Sequence, residues 1–310
     1  MRDSFDRTID YLRISLTDRC NLRCRYCMPA GGVRKFSHED ILRFEEIERV
    51  IRICRELGFT KFRFTGGEPL LRRGAMDFLE KLPPGDWYLT TNLAVENLDL
   101  DRLNRLPLAG LNVSCDSLRP DRYRWITRRG DLGVFLRNLE GVRSENLKIN
   151  AVVMKGFNED EIEDFIDFGE RHRATVRFIE MMDFGTGGPG FASLAEIRDG
   201  LVAGGVIEPT GRHIRNSVSY YHDLRGRRGK VGFITPVSRH FCPDCRKIRL
   251  KANGEIKLCV FSRENFNLRD LLRSEADDRV IGNWLAGLVA RKPFRPEGPR
   301  TRETMAEIGG

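Results

Sequence analysis

Long apolar runs are missing from this sequence. The longest near the C-terminus, residues 284–290, is too short to cross a bilayer, so no membrane span is expected. No apolar segment follows Arg2, Asp3, Asp6 and Arg7, so a secretory leader is not expected and a cytoplasmic setting is. Low-complexity segments are absent. Histidine is scarce, at 5 residues in 310, which limits nitrogen ligands for a metal. Charge and sulfur, by contrast, are plentiful. Lys and Arg number 53 against 45 Asp and Glu, a formal +8 that suits nucleic acid, a small polyanion, or ordinary surface bias. Eight cysteines in a chain of this kind argue against disulfides, because the cytosol keeps thiols reduced. They cluster: three lie at 20–27 and three at 242–259. Cys54 and Cys115 stand alone on apolar faces of a helix and a strand and read as core.

Six β-rich runs, at 11–16, 61–64, 87–90, 111–115, 148–153 and 175–179, alternate with amphipathic helical runs. In one of these Ile47, Val50, Ile51, Cys54 and Leu57 share a face. Repeated β/α units imply a parallel sheet, since each return needs a crossover. The strands alternate with period two: Leu12, Ile14 and Leu16 oppose Arg13 and Ser15, and Phe62 and Phe64 oppose Arg63 and Thr65. Likewise Asn112, Ser114 and Asp116 oppose Leu111, Val113 and Cys115, and Asn150 and Arg177 interrupt apolar strands. A sheet buried on both faces, or a filled eight-stranded barrel, would show continuous apolar strands instead. The expected fold is therefore α/β: an open, partial (β/α)6 TIM-like barrel with helices outside and a polar concave face. An antiparallel sheet would alternate similarly, but the helices between strands argue against it. After Glu180 the pattern changes to a glycine-rich passage, strand-like runs at 212–221 and 230–234, the second cysteine group and helices. This divides the chain into a barrel, 1–185, and an α+β region, 186–310, that closes its open side.

Each cysteine group lacks a fourth ligand. Cys20, Cys24 and Cys27, spaced C-x3-C-x2-C, follow the first strand and so fall at its C-terminal end, where β/α-barrel sites lie. Three thiolates satisfy three irons of a 4Fe-4S cube and leave the fourth iron open. Structural zinc would need a closed tetrahedron, and the nearby His38 suits a helix cap or solvent better. Thr65-Gly66-Gly67-Glu68-Pro69 follows the second strand; its glycines allow close backbone approach to a ligand. Cys242, Cys245 and Cys259 form a second incomplete set, to which His240 could add a nitrogen for zinc.

The first cysteine motif resembles the signature of the radical S-adenosylmethionine (SAM) superfamily. That resemblance implies a 4Fe-4S cluster whose open iron binds SAM, and reductive cleavage to a 5′-deoxyadenosyl radical. It also implies SAM contacts by Tyr26, Gly67, Ser114 and Met182. The runs at 12–29, 63–70, 90–92, 112–117, 152–158 and 177–183, the second cysteine group and the terminal 308–310, in this order, resemble the GTP 3′,8-cyclase family over nearly the whole chain. This closer resemblance implies a second 4Fe-4S cluster on Cys242, Cys245 and Cys259, with its open iron at the guanine of GTP. It implies GTP contacts by Arg13, Arg63, Thr90, Lys155 and the run Lys247, Ile248 and Arg249, and insertion of Gly309 and Gly310 into the active site. Lys247 stands where the family commonly has Arg, which keeps the charge but loses the bidentate fork. The implied product is a cyclised dihydro-GTP for molybdenum cofactor biosynthesis, passed to cyclic pyranopterin monophosphate synthase. An electron donor is required, a homodimer is allowed, and neither membrane nor nucleic acid is expected as partner.

Two rival readings stand beside this one. One is a different radical SAM enzyme, such as an RNA methyltransferase or a peptide-modifying maturase; Arg122, Arg124 and Arg129, interleaved with Tyr123 and Trp125, would suit RNA. A zinc protein binding nucleic acid through a basic face is the other.

Overall fold

The computed structural model describes residues 1–182, 190–214, 219–224, 230–238, 241–295, 301 and 303–309. The six expected strands are present: β1 (Tyr11–Ser15), β2 (Lys61–Thr65), β3 (Asp86–Thr91), β4 (Gly110–Ser114), β5 (Leu147–Lys155) and β6 (Thr175–Glu180). They lie side by side in chain order and all parallel. Helices α1 (Phe44–Glu56), α2 (Ala75–Glu80), α3 (Leu100–Arg105), α4 (Pro120–Thr127), α5 (Leu132–Gly141) and α6 (Ile162–Arg171) connect them.

Local chemistry explains these elements. In α1 the Glu46 carboxylate accepts the Arg43 N–H at 2.6 Å at the N-terminus, while Ile47, Val50, Ile51 and Cys54 form the buried stripe. Apolar positions of the strands face the helices: Leu12, Ile14, Phe62, Phe64, Leu111, Val113 and Cys115 are all buried. Phe64 meets Phe78 of α2 edge-on at 5.5 Å. Full burial of such a side chain contributes about 1.5–3 kcal/mol, and this layer is the core.

The C-terminal region does more than cover the barrel. It contains β7 (Gly190–Phe191), α7 (Leu194–Ala203), β8 (Ile207–Ile214), β9 (Ser219–Leu224), β10 (Lys230–Ile234), β11 (Lys247–Leu250), β12 (Glu255–Lys257), β13 (Phe266–Asn267), α8 (Arg269–Arg273), α9 (Asp278–Ala290) and α10 (Met305–Ile308). β10 pairs parallel with β6, and β11 pairs parallel with β1. The parallel run is thus eight strands long, β11-β1-β2-β3-β4-β5-β6-β10, where the sequence suggested six. Apolar register sets both new seams: Phe233 opposes Phe178 with rings 5.7 Å apart, and Ile248 and Leu250 oppose Leu12 and Ile14. β10 and β11 do not pair with each other, so the sheet stays open. The strand-like run expected at 212–221 is a pair of antiparallel strands, β8 and β9.

Candidate active site

Parallel register turns scattered basic residues into a row. Arg249 of β11 stands opposite Arg13 of β1, and Arg13 opposite Arg63 of β2. One step toward the N-terminal ends, Lys247, Tyr11 and Lys61 form a second row. Adjacent strands lie about 4.8 Å apart. Side chains aligned in such a row are near neighbours, so their like charges repel one another. Burial first, and Arg249 next, press the Arg13 guanidinium well below its ordinary value. The Tyr11 hydroxyl accepts the Arg63 Nε–H, and although burial would raise its pKa, Arg63, Arg13 and Lys247 bring it down to about 7. Farther round, Lys148 opposes Asn112, and Asn150 accepts from Arg177 at 2.6 and 2.9 Å. A wall this cationic is costly to leave empty and favourable to fill with a polyanion.

The first cysteine group occupies the loop that leaves β1. Arg23 and Arg25 donate their N–H groups to the Thr127 and Ile126 carbonyls, both at 2.9 Å, and Arg128 braces the Arg23 and Met28 carbonyls at 2.7 and 2.9 Å. Arg25 also lies over the Trp125 ring at 3.9 Å, which itself stacks on Phe157. Of the basic stretch that suggested RNA, Arg122 is paired to Asp160 and Glu161, while Arg124 and Arg129 are exposed. Asn92, at the end of β3, donates to Cys20 Sγ at 3.7 Å and to Asn21 at 2.9 Å.

The glycines of the second motif have a clearer task than ligand approach. A Cβ on Gly67 would sit 2.2 Å from the Arg19 carbonyl oxygen, and one on Gly66 would sit 2.7 Å from that of Thr17. Only glycine lets this turn lie against the strand-to-loop backbone, with Gly67 and Glu68 N–H groups bonded to Thr17 and Arg19 at 2.7 Å. Fully buried Glu68 completes the lock by accepting from Thr91, Asn92 and Leu70.

The second cysteine group is gathered by a hairpin. Cys245 enters β11 and Cys259 leaves β12, and the antiparallel register of Arg249 with Lys257 brings these two ends together. Gly254, at φ +84°, makes the turn between them. β1 and β11 run side by side in the same direction, but Cys20 follows one and Cys245 precedes the other. The two groups therefore lie at opposite ends of strands roughly 17 Å long at about 3.3 Å per residue, with the arginine row between.

These donors suit iron–sulfur clusters. Burial pushes Cys20 up to about 11 and Cys27 up to about 12, and raises Cys24 as well. Three such sulfurs become thiolates only against a strongly cationic partner, which metal supplies. Among the described residues no three His, Cys, Asp or Glu side chains converge on one ion position, as zinc requires; sulfurs on separate irons of a cube need not converge. His38 is exposed, and His240 lies outside the described residues. At Cys245 burial would raise the thiol, but Lys292 and Lys247 outweigh it and lower it. On the same wall Asn112 Oδ1 is buried with no hydrogen-bond partner among the described residues, an acceptor open to a ligand donor.

One cavity of about 830 Å³ unites these parts. Both cysteine groups line it, as do Tyr26, Gly67, Ser114, Met182, Arg13, Arg63, Thr90, Lys247 and Arg249. Tyr26 is oriented by a 2.8 Å bond to Asp116, whose carboxyl burial raises to about 6. Two expected contacts fall elsewhere. Lys148, Asn150 and Val152 point inward along β5, so Lys155 belongs to the opposite phase and its side chain is exposed, off the cavity. Ile248, between the inward Lys247 and Arg249, is 1% exposed in the core. Gly309 reaches the barrel, bonded to Thr65, whereas Gly310 lies outside the described residues. Sequence reasoning missed Tyr11, Lys61, Lys148 and Lys292, all on the cavity wall. The first three share the inward phase of strands already recognised; Lys292 carried no local signal.

The Radical SAM superfamily profile matches residues 14–169, and the Molybdenum Cofactor Synthesis C profile matches residues 174–297. Streptococcus suis SuiB bound to S-adenosylmethionine shares the fold, with a TM-score of 0.63 at 18% identity over 89% of this chain and 68% of that one. The chain is thus a radical SAM protein, built on that superfamily's open α/β sheet. More narrowly, GTP 3′,8-cyclase of Syntrophomonas wolfei is 38% identical over 100% of both chains, and that of Alkaliphilus metalliredigens 40% identical over the same share. The enzyme of Geobacter sulfurreducens is 40% identical over 99% of each. The chain belongs to the GTP 3′,8-cyclase family.

Proposed function

We propose that this chain converts GTP into (8S)-3′,8-cyclo-7,8-dihydroguanosine 5′-triphosphate, the first step of molybdenum cofactor biosynthesis. The observation that carries this reading is one cavity holding two incomplete cysteine sets at opposite ends, with a register-aligned cationic wall between them. When bound, the first cluster and SAM supply the radical chemistry. The chain's own residues do the rest. Cys20, Cys24 and Cys27 hold the first cluster, and Tyr26, Gly67, Ser114 and Met182 contact SAM. Cys242, Cys245 and Cys259 hold the second cluster. Arg13, Arg63, Thr90, Lys247 and Arg249, joined by Lys61 and Lys148, grip GTP, and the glycine tail that carries Gly309 serves the same site. Lys155 and Ile248 are left out of this set. Residues 1–185 and 186–310 act as the two working regions.

The same reading gives the enzyme a cytoplasmic setting, an electron donor and a handoff of product to cyclic pyranopterin monophosphate synthase. A homodimer is compatible with it. The test is turnover: the anaerobic, reduced protein with SAM forms a cyclised nucleotide from GTP and modifies no RNA. Methylated RNA without cyclised nucleotide would favour the rival radical SAM reading.

A further inference from the structure

Residues ahead of β1 reach the second cysteine group. Asp3 Oδ1 accepts the Phe5 and Arg7 N–H groups, both at 3.0 Å, and Oδ2 accepts Arg7 Nε–H at 2.7 Å. The two side chains are 0% and 5% exposed. Arg7 then spends its remaining donors on main-chain carbonyls far away in sequence. Nη1 donates to Cys242 at 2.8 Å and to Phe294 at 3.1 Å. Nη2 donates to Pro293 at 2.8 Å and to Lys292 at 3.3 Å. The Phe5 and Phe294 rings lie 5.4 and 5.6 Å from the guanidinium. The segment held at 292–294 returns the favour to the same loop system, because the Lys292 ammonium donates to the Leu258 carbonyl, one residue before Cys259.

We infer that Asp3 and Arg7 are a positioning pair that sets the seat of the second cluster. Arg7 ties the backbone of Cys242 to the segment carrying Lys292, and Lys292 ties that segment to the backbone beside Cys259. Asp3 fixes the guanidinium plane from the other side. Only a planar fork with five donors serves an acid and four carbonyls at once; a lysine ammonium has three donors at one point. Neither residue lines the cavity, so the pair acts through the ligands rather than on substrate. This inference rests on Cys242, Cys245 and Cys259 being the second cluster's ligands.

The experiment compares reconstituted wild type with Arg7→Lys, Arg7→Met and Asp3→Asn, reading iron content, the EPR of the reduced protein and SAM cleavage without product. Cys242→Ala supplies the one-cluster reference. The variants are expected to lose about half their iron on exposure to a mild chelator at least tenfold faster than wild type. Their remaining EPR signal should match the Cys242→Ala reference, with SAM cleavage kept. Equal loss of both clusters, failure to fold included, overturns the inference by making Arg7 a general strut. Retention of both clusters at the wild-type rate overturns it too. Wild type holding only one cluster, or Cys242→Ala keeping both, overturns the ligand reading instead.

Discussion

Thr65 donates its hydroxyl to the Gly309 carbonyl at 2.8 Å, joining residues 244 positions apart. The bond fastens the tail to the C-terminal end of β2, beside the glycine pair and next to the first cysteine loop. Ala306 N–H adds a bond to the Cys27 carbonyl at 3.3 Å. Gly309 sits at φ +90°, where a Cβ would meet the Ser15 Cβ at 2.6 Å. Backbone conformation and space both demand glycine here. Gly309→Ala combines a left-handed penalty of about 1–2 kcal/mol with that collision. Cyclisation should fall at least about tenfold while iron content stays at the wild-type level. Product analysis beside an iron assay checks this; unchanged cyclisation would remove the tail from the active site.

Glu303 anchors the same tail from behind. Its carboxylate accepts from Lys251 at 2.6 Å and from Lys257, side chains 4% and 0% exposed. Burial alone would raise this carboxyl, but the two lysine bonds outweigh it and bring it to about 2. A depressed carboxyl stabilises fully above its ordinary value near 4.5 and loses that contribution as pH falls toward 2. In cluster-free protein, Glu303→Gln should lower the melting temperature at pH 6, by about 3 kcal/mol of stability for a broken buried network. The gap to wild type should shrink steadily toward pH 3. A gap that stays constant with pH would show that the carboxylate charge is not what holds the tail.

The turn around Gly67 gives a paired test. Gly67→Ala drives a Cβ against main chain that carries the first cysteine loop, whereas Gly31, three residues beyond Met28, has nothing within 4 Å of its added Cβ. Gly67→Ala should lose the first cluster and with it SAM cleavage. Gly31→Ala should retain both. Ultraviolet–visible spectra and deoxyadenosine release distinguish them, and equal behaviour of the two variants would deny the turn its structural role.

Lys148 should couple GTP binding to pH. Burial, then Arg177, Arg63 and Lys61, lower its ammonium to about 7. A bound triphosphate favours the charged form, so above pH 7 binding must take up a proton and weakens as pH rises. Lys148→Met should reduce GTP affinity about tenfold at pH 6.5 and remove that share of the pH dependence. Calorimetry in buffers of different ionisation enthalpy reads the proton directly. The nucleotide's own titration is common to both proteins, so identical proton uptake would exclude Lys148.

How far this site could be read in advance follows from the range of the interactions that build it. Period-two alternation in β1, β2 and β4 revealed a polar inner wall, because one face of each strand packs on helices and the other does not. Arg13, Arg63 and Asn112 were placed by that rule, and the phase of β5 sets Lys155 on the opposite face. The pairing of β11 with β1 was not legible. Its register joins residues more than 230 positions apart, and Lys247-Ile248-Arg249-Leu250 is too short to announce a parallel partner. The same limit hid Asp3 and Arg7, whose partners lie at the other end of the chain. Both cysteine groups were legible as ligand sets, since their spacing is local; the hairpin that gathers the second was not.

The most direct measurement is anaerobic reconstitution of the full chain, followed by incubation with SAM, a reductant and GTP. The account predicts brown protein with about eight irons per chain, stoichiometric 5′-deoxyadenosine and a cyclised nucleotide. Protein that stays colourless and iron-free, or that cleaves SAM but leaves GTP uncyclised, would contradict it.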